Sequence, residues 1–271
     1  MGRFHRHDDG TWHTHEHDDH DEHEHGDHGD HEHEHHHEDV GDHSGYETGH
    51  ERIDVLEAIF DENDSKAAAN RAALDAAGVV AVNLMSSPGA GKTTLLRRTL
   101  DELRGQLRCG VVEGDIATSI DADRLGGLDA QISLLNTGAG FGGECHLDAP
   151  MVAHALESLD LSALDLLLIE NVGNLVCPAE FDVGAHHKAM VFSVTEGEDK
   201  PLKYPVMFAA VEVVVLNKVD LLPYVDFSEE LFAENLAKIN PAAKIIRTCA
   251  TKGDGVAEWL DWLRGIVEGG E

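Results

Sequence analysis

Seven short apolar runs, at 79–85, 111–112, 132–135, 166–169, 190–194, 211–216 and 244–246, are set apart by longer stretches with helical patterning. Apolar runs of this length without strict alternation fit strands buried on both faces, and strands separated by helices form a largely parallel sheet. The pattern therefore predicts an α/β fold, a mainly parallel sheet flanked by helices, filling a globular domain over 79–267. Ahead of it, Ile53, Val55, Leu56, Ile59 and Phe60 fall at helical spacing and run into an Ala-rich stretch ending near Gly78, which predicts a helical lead-in over 51–78. Behind the last run, Val256, Trp259, Leu260, Trp262 and Leu263 share one face of a closing helix suited to packing on the sheet. Residues 1–50 have no such pattern. They alternate His with Asp or Glu, and all but four of the twenty histidines lie between His5 and His50. A segment with so little to bury cannot repay its ordering entropy, so a disordered, solvated His-rich tail that binds metal ions is expected.

Composition narrows the partners. The 271 residues carry 52 acidic and 20 basic side chains, a formal net charge of −32, which repels nucleic acid and anionic membrane surfaces. No apolar run approaches the ~18 residues of a membrane span, and the start, Met-Gly-Arg-Phe-His-Arg-His, lacks the apolar stretch of a secretory signal. A cytoplasmic protein is expected, with neither nucleic acid nor membrane as partner. In that reducing compartment the four cysteines, Cys109, Cys145, Cys177 and Cys249, persist as thiols, so burial or metal binding has to account for them.

The first apolar run leads directly into Ser86-Ser87-Pro88-Gly89-Ala90-Gly91-Lys92-Thr93-Thr94 and then into helical Leu95-Leu96-Arg97-Arg98. Strand, glycine-rich turn and helix in that order form a phosphate-binding loop and specify a P-loop NTPase. Ser87, Gly89, Ala90, Gly91, Lys92, Thr93 and Thr94 are the candidate phosphate contacts. The backbone N–H groups curl inward, the helix N-terminus adds positive potential, Lys92 reaches the β/γ-phosphates and the Thr93 hydroxyl ligates Mg²⁺. Ser86 replaces the first glycine of the usual G-x-x-x-x-G-K-[ST] pattern. The plainer alternative, a turn with a chance Gly-Lys-Thr, is set aside by the strand–loop–helix context.

The run at 211–216 ends in Asn217-Lys218-Val219-Asp220. A carboxylate at Asp220 can accept from guanine N1–H and the exocyclic amino group. Adenine offers neither, and leaves the carboxylate unpaired at about 1–3 kcal/mol, so GTP is the expected nucleotide. The Lys218 stem can lie along the purine face. An isolated N-K-x-D is usually an ordinary strand end; here it follows a phosphate loop, at a strand's C-terminal edge. Thr248-Cys249-Ala250-Thr251 resembles the Ser-Ala-Lys element that supports the base in GTPases, with Cys249 where Ser is usual, and it nominates Ala250 as a nucleotide contact. Asp115 and Glu170 each lie just past an apolar run and are candidates to hold Mg²⁺ directly or through water, the alternative being solvated strand-end carboxylates. Gly173, in the order Glu170-Asn171-Val172-Gly173, resembles the last residue of a D-x-x-G element and could offer its N–H to the γ-phosphate. Lys92, Thr93, Asp115 and Glu170 form the candidate catalytic set; no general base is evident.

Two further segments carry soft ligands: Gly143-Glu144-Cys145-His146-Leu147-Asp148 and Val172-Gly173-Asn174-Leu175-Val176-Cys177-Pro178. Thiolate and imidazole suit Zn²⁺ and also Ni²⁺, while a closed tetrahedral site needs four ligands. Cys145, His146 and Cys177 supply three, so the remainder is expected from water or from a second subunit, the site forming between protomers when GTP orders the loops. Cys109 and Cys249 read as core residues.

With these residues assembled, the chain from about Arg52 onward resembles the hydrogenase nickel-incorporation GTPases known as the HypB family. The resemblance is carried by 86–94, Glu113-Gly114-Asp115 with Asp121-Ala122-Asp123-Arg124, 143–151, 170–178 and 217–220. It implies a slow GTPase of the SIMIBI class, a GTP-favoured homodimer, and Ni²⁺ or Zn²⁺ at Cys145, His146 and Cys177. The implied partners are a second nickel-binding maturation protein and the hydrogenase large-subunit precursor. Some members carry a Cys-rich N-terminal nickel motif, which this sequence lacks. Two rivals stand beside this reading. A urease-maturation GTPase would carry Cys-Pro-His where this chain has Cys177-Pro178-Ala179; a nickel store would have a nucleotide domain that no longer hydrolyses.

Overall fold

The structure, a computed structural model of the chain, describes residues 5–6, 12–13, 48–114, 127–135 and 146–269. Two compact units divide between Glu47 and Thr48. In the first, β1 (His5–Arg6) pairs antiparallel with β2 (Trp12–His13); of the tail expected over 1–50, Thr48 to His50 instead begin the first helix, and the other residues lie outside the described ones.

The second unit runs through α1 (Thr48–Ala77), β3 (Val80–Ser86), α2 (Lys92–Leu103), β4 (Cys109–Glu113), β5 (Ala130–Leu134), α3 (Ala149–Leu156), β6 (Leu166–Glu170), α4 (Cys177–Glu180) and β7 (His187–Ser193). It continues through α5 (Lys200–Lys203), α6 (Pro205–Ala209), β8 (Val213–Asn217), α7 (Glu229–Ile239), β9 (Lys244–Arg247) and α8 (Val256–Glu268). Strands β3 to β9 make one parallel sheet in the order β5-β4-β6-β3-β7-β8-β9. The seven apolar runs are these seven strands, and the parallel α/β expectation holds.

Both faces of the sheet are covered, which is why the strands read as near-continuous apolar runs. Val82 and Leu84 of β3 face a core shared with Leu95, Leu96 and Leu103 of α2 and Trp259, Leu260 and Leu263 of α8. The alternate residues face the other way. Ala81 meets Leu74 of α1 and Val152 of α3, while Met85 joins Phe208 of α6 and Phe232 of α7. Trp259 is fully buried, and its indole N–H donates to the Thr99 hydroxyl at 2.9 Å, so the one polar atom of the largest core side chain is satisfied.

Helix α1 meets the body through a stripe at helical spacing that is half polar: Asn63, Ala67, Asn70 and Leu74 are buried. Asn63 donates to the Asp182 carbonyl and accepts from the Ala149 N–H, both at 2.9 Å. Asn70 donates to the carbonyls of Ala149 at 2.9 Å and Val183 at 3.1 Å. Ile59 and Phe60, two of the apolar residues that predict the helix, stay exposed.

Strand β3 is central. The chain leaves it toward β4 and β5 on one side and crosses to β7, β8 and β9 on the other. A parallel sheet opens a crevice where its order reverses, at the C-terminal ends of the strands. Ser86, Glu170, Ser193 and Asn217 end their strands at that edge.

Candidate nucleotide and metal site

The loop between β3 and α2 is bent by two glycines with positive φ, Gly89 at 74° and Gly91 at 101°. At Gly91 the space is closed as well, because a Cβ there would come within 2.5 Å of Asn217 Nδ2. Asn217 uses that nitrogen to donate to the Ala90 carbonyl at 2.9 Å, and Lys218 Nζ donates to the Gly89 carbonyl at 2.7 Å. The strand end expected to read the base therefore holds the loop between β3 and α2 in its curl. Ser86, Gly89 to Thr94 and Lys218 line a cup of about 290 Å³ at the mouth of the loop.

Below the cup the charged groups converge. Glu170 has no exposed surface; its Oε1 accepts from the Thr93 hydroxyl at 2.7 Å and lies 3.6 Å from Lys92 Nζ, which is itself buried. Its Oε2 is buried without a hydrogen-bond partner among the described residues. Glu113, also buried, stands in register with Glu170 on the neighbouring strand. Side chains in register across a parallel pair share a face. A carboxylate oxygen buried without a protein partner, as Glu170 Oε2 is among the described residues, is disfavoured unless a cation or donor reaches it. A hydroxyl, an open carboxylate oxygen and hard oxygen chemistry fit Mg²⁺. Asp115 lies outside the described residues.

At the base end, Asn217 Oδ1 accepts from the Thr248 hydroxyl at 3.2 Å and the Ala250 N–H at 3.1 Å, tying β8 to the turn after β9. Lys218 takes up the left-handed conformation at φ 62°. Asp220 Oδ1 accepts from the Cys249 thiol at 3.1 Å, and Oδ2 pairs with Lys252 Nζ at 3.0 Å. The Cys249 hydrogen bond first and the Lys252 pairing second hold the Asp220 carboxyl below the usual carboxylate range. Cys249 is buried, as a core residue would be, yet it also orients the residue expected to read the base.

Among the soft ligands, Cys145 lies outside the described residues. His146 is half-buried, and its ring centre lies 4.1 Å from that of Phe181, four residues beyond Cys177; Phe60 stacks on Phe181 at 5.1 Å. The His146 and Cys177 segments are thus neighbours. Behind His146, Leu147 is fully buried and Asp148 caps α3 by accepting from the Met151 N–H at 2.8 Å. Cys109 is remote in character: burial, then the charges of Asp165 and Asp129, push its thiol up to about 12, so it stays a protonated core residue. No group of three His, Cys, Asp or Glu side chains with metal-binding geometry occurs among the described residues. None of the described helices is long and apolar enough to cross a membrane.

The family described as CobW/HypB/UreG, nucleotide-binding domain, matches residues 80–247. The hydrogenase maturation factor HypB of Escherichia coli strain K12 is 51% identical over 211 residues, which is 78% of this chain and 70% of that protein. The chain belongs to the HypB family. HypB from Archaeoglobus fulgidus superposes with a TM-score of 0.70 at 41% identity, over 76% of this chain and 98% of that one. HypB from Helicobacter pylori, solved in complex with nickel, does so with 0.71 at 35% identity, over 77% and 96%.

Sequence reasoning missed several residues of this HypB-family site. Glu196, in the turn after β7, accepts from the Ser87 hydroxyl and, at 3.0 Å, from the Ser193 N–H, fastening the start of the phosphate loop to the neighbouring strand. Asn171 accepts from the N–H groups of Leu147 at 3.0 Å and Val172 at 2.9 Å. Glu113 was visible only as part of a motif. Register with Glu170 is what gives it meaning, and register is not local in sequence.

Proposed function

We propose that this HypB-family chain is a GTP-hydrolysing nickel metallochaperone acting in [NiFe]-hydrogenase maturation. The observation that supports the hydrolytic part is the buried Glu170 Oε2, without a partner among the described residues, beside Lys92 and Thr93 below the phosphate cup. The maturation role rests on family membership, and the nickel cargo on the adjacency of the His146 and Cys177 segments together with the nickel complex of the Helicobacter pylori relative.

In this reading the backbone from Ser87 to Thr94 cradles the phosphates, and Lys92 moves from its contact with Glu170 to the β/γ-phosphates. Asn217, Lys218, Asp220 and Ala250 hold the guanine end. Thr93, Glu170 and Asp115 hold Mg²⁺, which offsets phosphate charge when bound. Water attacks the γ-phosphorus, the bond to the β–γ bridging oxygen breaks, and GDP and phosphate leave. Lys92 stabilises charge on the transferring group. The Gly173 N–H senses the γ-phosphate, so its loss frees the segment that carries Cys177. Cys145, His146 and Cys177 take nickel, or zinc in its place, within a GTP-favoured homodimer in the cytoplasm. A second nickel-binding maturation protein and the hydrogenase large-subunit precursor exchange that cargo. Residues 1–50 buffer metal ions ahead of the 51–78 lead-in and the 79–267 GTPase domain.

Phosphate release with GTP and with ATP, by the full chain and its Lys92→Ala variant, tests the enzymatic claim. Turnover of GTP alone, lost in the variant, is expected. No release from either nucleotide would leave the storage reading.

A further inference from the structure

Leu147 touches three things at once. Its N–H donates to Asn171 Oδ1 at 3.0 Å, one residue past the carboxylate Glu170. Its side chain packs so closely on Gly114 that a Cβ there would meet Leu147 Cγ, Cδ1 and Cδ2 at 2.6 Å. It also follows His146 directly in the chain. Gly114 in turn donates its N–H to the Glu170 carbonyl at 2.9 Å. The same Asn171 oxygen accepts from Val172, on the way to Gly173 and Cys177, and Asn171 Nδ2 donates to Asn83 Oδ1 at 3.2 Å. Asn171 and Leu147 have no exposed surface.

We infer that Asn171, with the Gly114–Leu147 contact, is the positioning element that passes nucleotide state to the metal-binding segments. This deepens the proposed function and rests on it. One side-chain oxygen holds the chain on both sides of the metal site, at His146–Leu147 and at Val172. It does so from the residue next to the carboxylate that attends Lys92 and Thr93. A backbone shift at Glu170 when nucleotide arrives carries Asn171 with it, and both N–H groups then follow or lose their partner. A second arrangement is at hand. Asn83 Nδ2, beside Asn171, is buried without a hydrogen-bond partner among the described residues. If both amides turn over, Asn83 Nδ2 donates to the Asn171 oxygen in place of the present bond from Asn171 Nδ2 to Asn83 Oδ1, and Leu147 and Val172 are released together. The junction therefore has two discrete states rather than a continuous give, the form a switch requires.

The test is a nickel titration of the full chain with GDP and with a non-hydrolysable GTP analogue, reading the sulfur-to-nickel charge-transfer absorption. The tail's imidazoles and carboxylates do not contribute to that signal. In the unsubstituted chain the two midpoints should differ by at least ~5-fold, the lower end of ordinary allosteric coupling. In Asn171→Ala and in Gly114→Ala the difference should shrink below ~2-fold while GDP and the analogue still bind. Adding Leu147→Ala to Gly114→Ala removes the clash and should recover part of the difference, which general damage to the fold would not do. Coupling unchanged in both single variants overturns the inference and leaves the proposed function standing. A chain without a nucleotide-dependent sulfur–nickel signal removes that function, and the inference with it.

Discussion

Asn217→Ala isolates the contact on which the phosphate loop depends. The side chain is buried and makes three hydrogen bonds, to the Ala90 carbonyl, the Thr248 hydroxyl and the Ala250 N–H. At about 0.5–1.5 kcal/mol net for each bond, their loss amounts to roughly 1.5–4.5 kcal/mol. Ala90 and Ala250 are themselves buried, so the carbonyl and the N–H left behind are not compensated by water; the upper half of that range, about 3–4 kcal/mol, is expected. Lys218→Met is the control, since the bond it loses, from Nζ to the Gly89 carbonyl, is exposed and contributes less than about 1 kcal/mol. Urea unfolding without nucleotide, followed by fluorescence of Trp259 and Trp262 in the core against α2, measures both. The GDP affinity of Asn217→Ala should fall at least ~10²-fold, as about 2.7 kcal/mol of the loss is expressed in binding. Asn217→Ala unfolding within about 0.5 kcal/mol of Lys218→Met would refute the claim that Asn217 holds the loop.

Glu170→Gln keeps the shape and the Thr93 contact but removes the charge, so phosphate release should fall by ~10² or more and respond weakly to added Mg²⁺. Undiminished Mg²⁺-stimulated turnover would exclude Glu170. For Asp220 the sign follows from its lowered folded-state pKa: its stabilising charge is present above the ordinary carboxylate value and is lost only as pH falls through the lowered one. The preference for GDP over ADP, in which phosphate protonation cancels, should therefore stay flat down to about pH 4. A loss of preference centred above that value would contradict the Cys249 and Lys252 contacts. Cys177→Ser should weaken the sulfur–nickel absorption and Cys145→Ser with Cys177→Ser abolish it, whereas Cys109→Ser, at a buried protonated thiol, should leave it intact.

What the sequence made legible follows from the range of each interaction. The seven strands were readable because burial on both sheet faces writes itself into consecutive residues, and the strand–loop–helix at 86–94 because its geometry is local. The packing face of α1 was not. Apolar spacing drew attention to Ile59 and Phe60, while the helix docks through Asn63 and Asn70, whose partners lie 79 to 119 residues away in sequence. Nothing near an asparagine in sequence reports a buried carbonyl on a distant loop. Glu196, Asn171 and Glu113 escaped for the same reason. Cys249 was read correctly as buried, but its bond to Asp220 depends on the turn after β9 meeting the end of β8. Asp115 and Cys145 lie outside the described residues.

The central claim is that GTP hydrolysis releases nickel held at Cys145, His146 and Cys177. Full-length protein loaded with nickel and GTP, mixed with excess chelator, allows phosphate release and decay of the sulfur–nickel absorption to be followed in one reaction. The absorption should decay in step with phosphate release and persist with the non-hydrolysable analogue. Equal decay with both nucleotides would contradict the account.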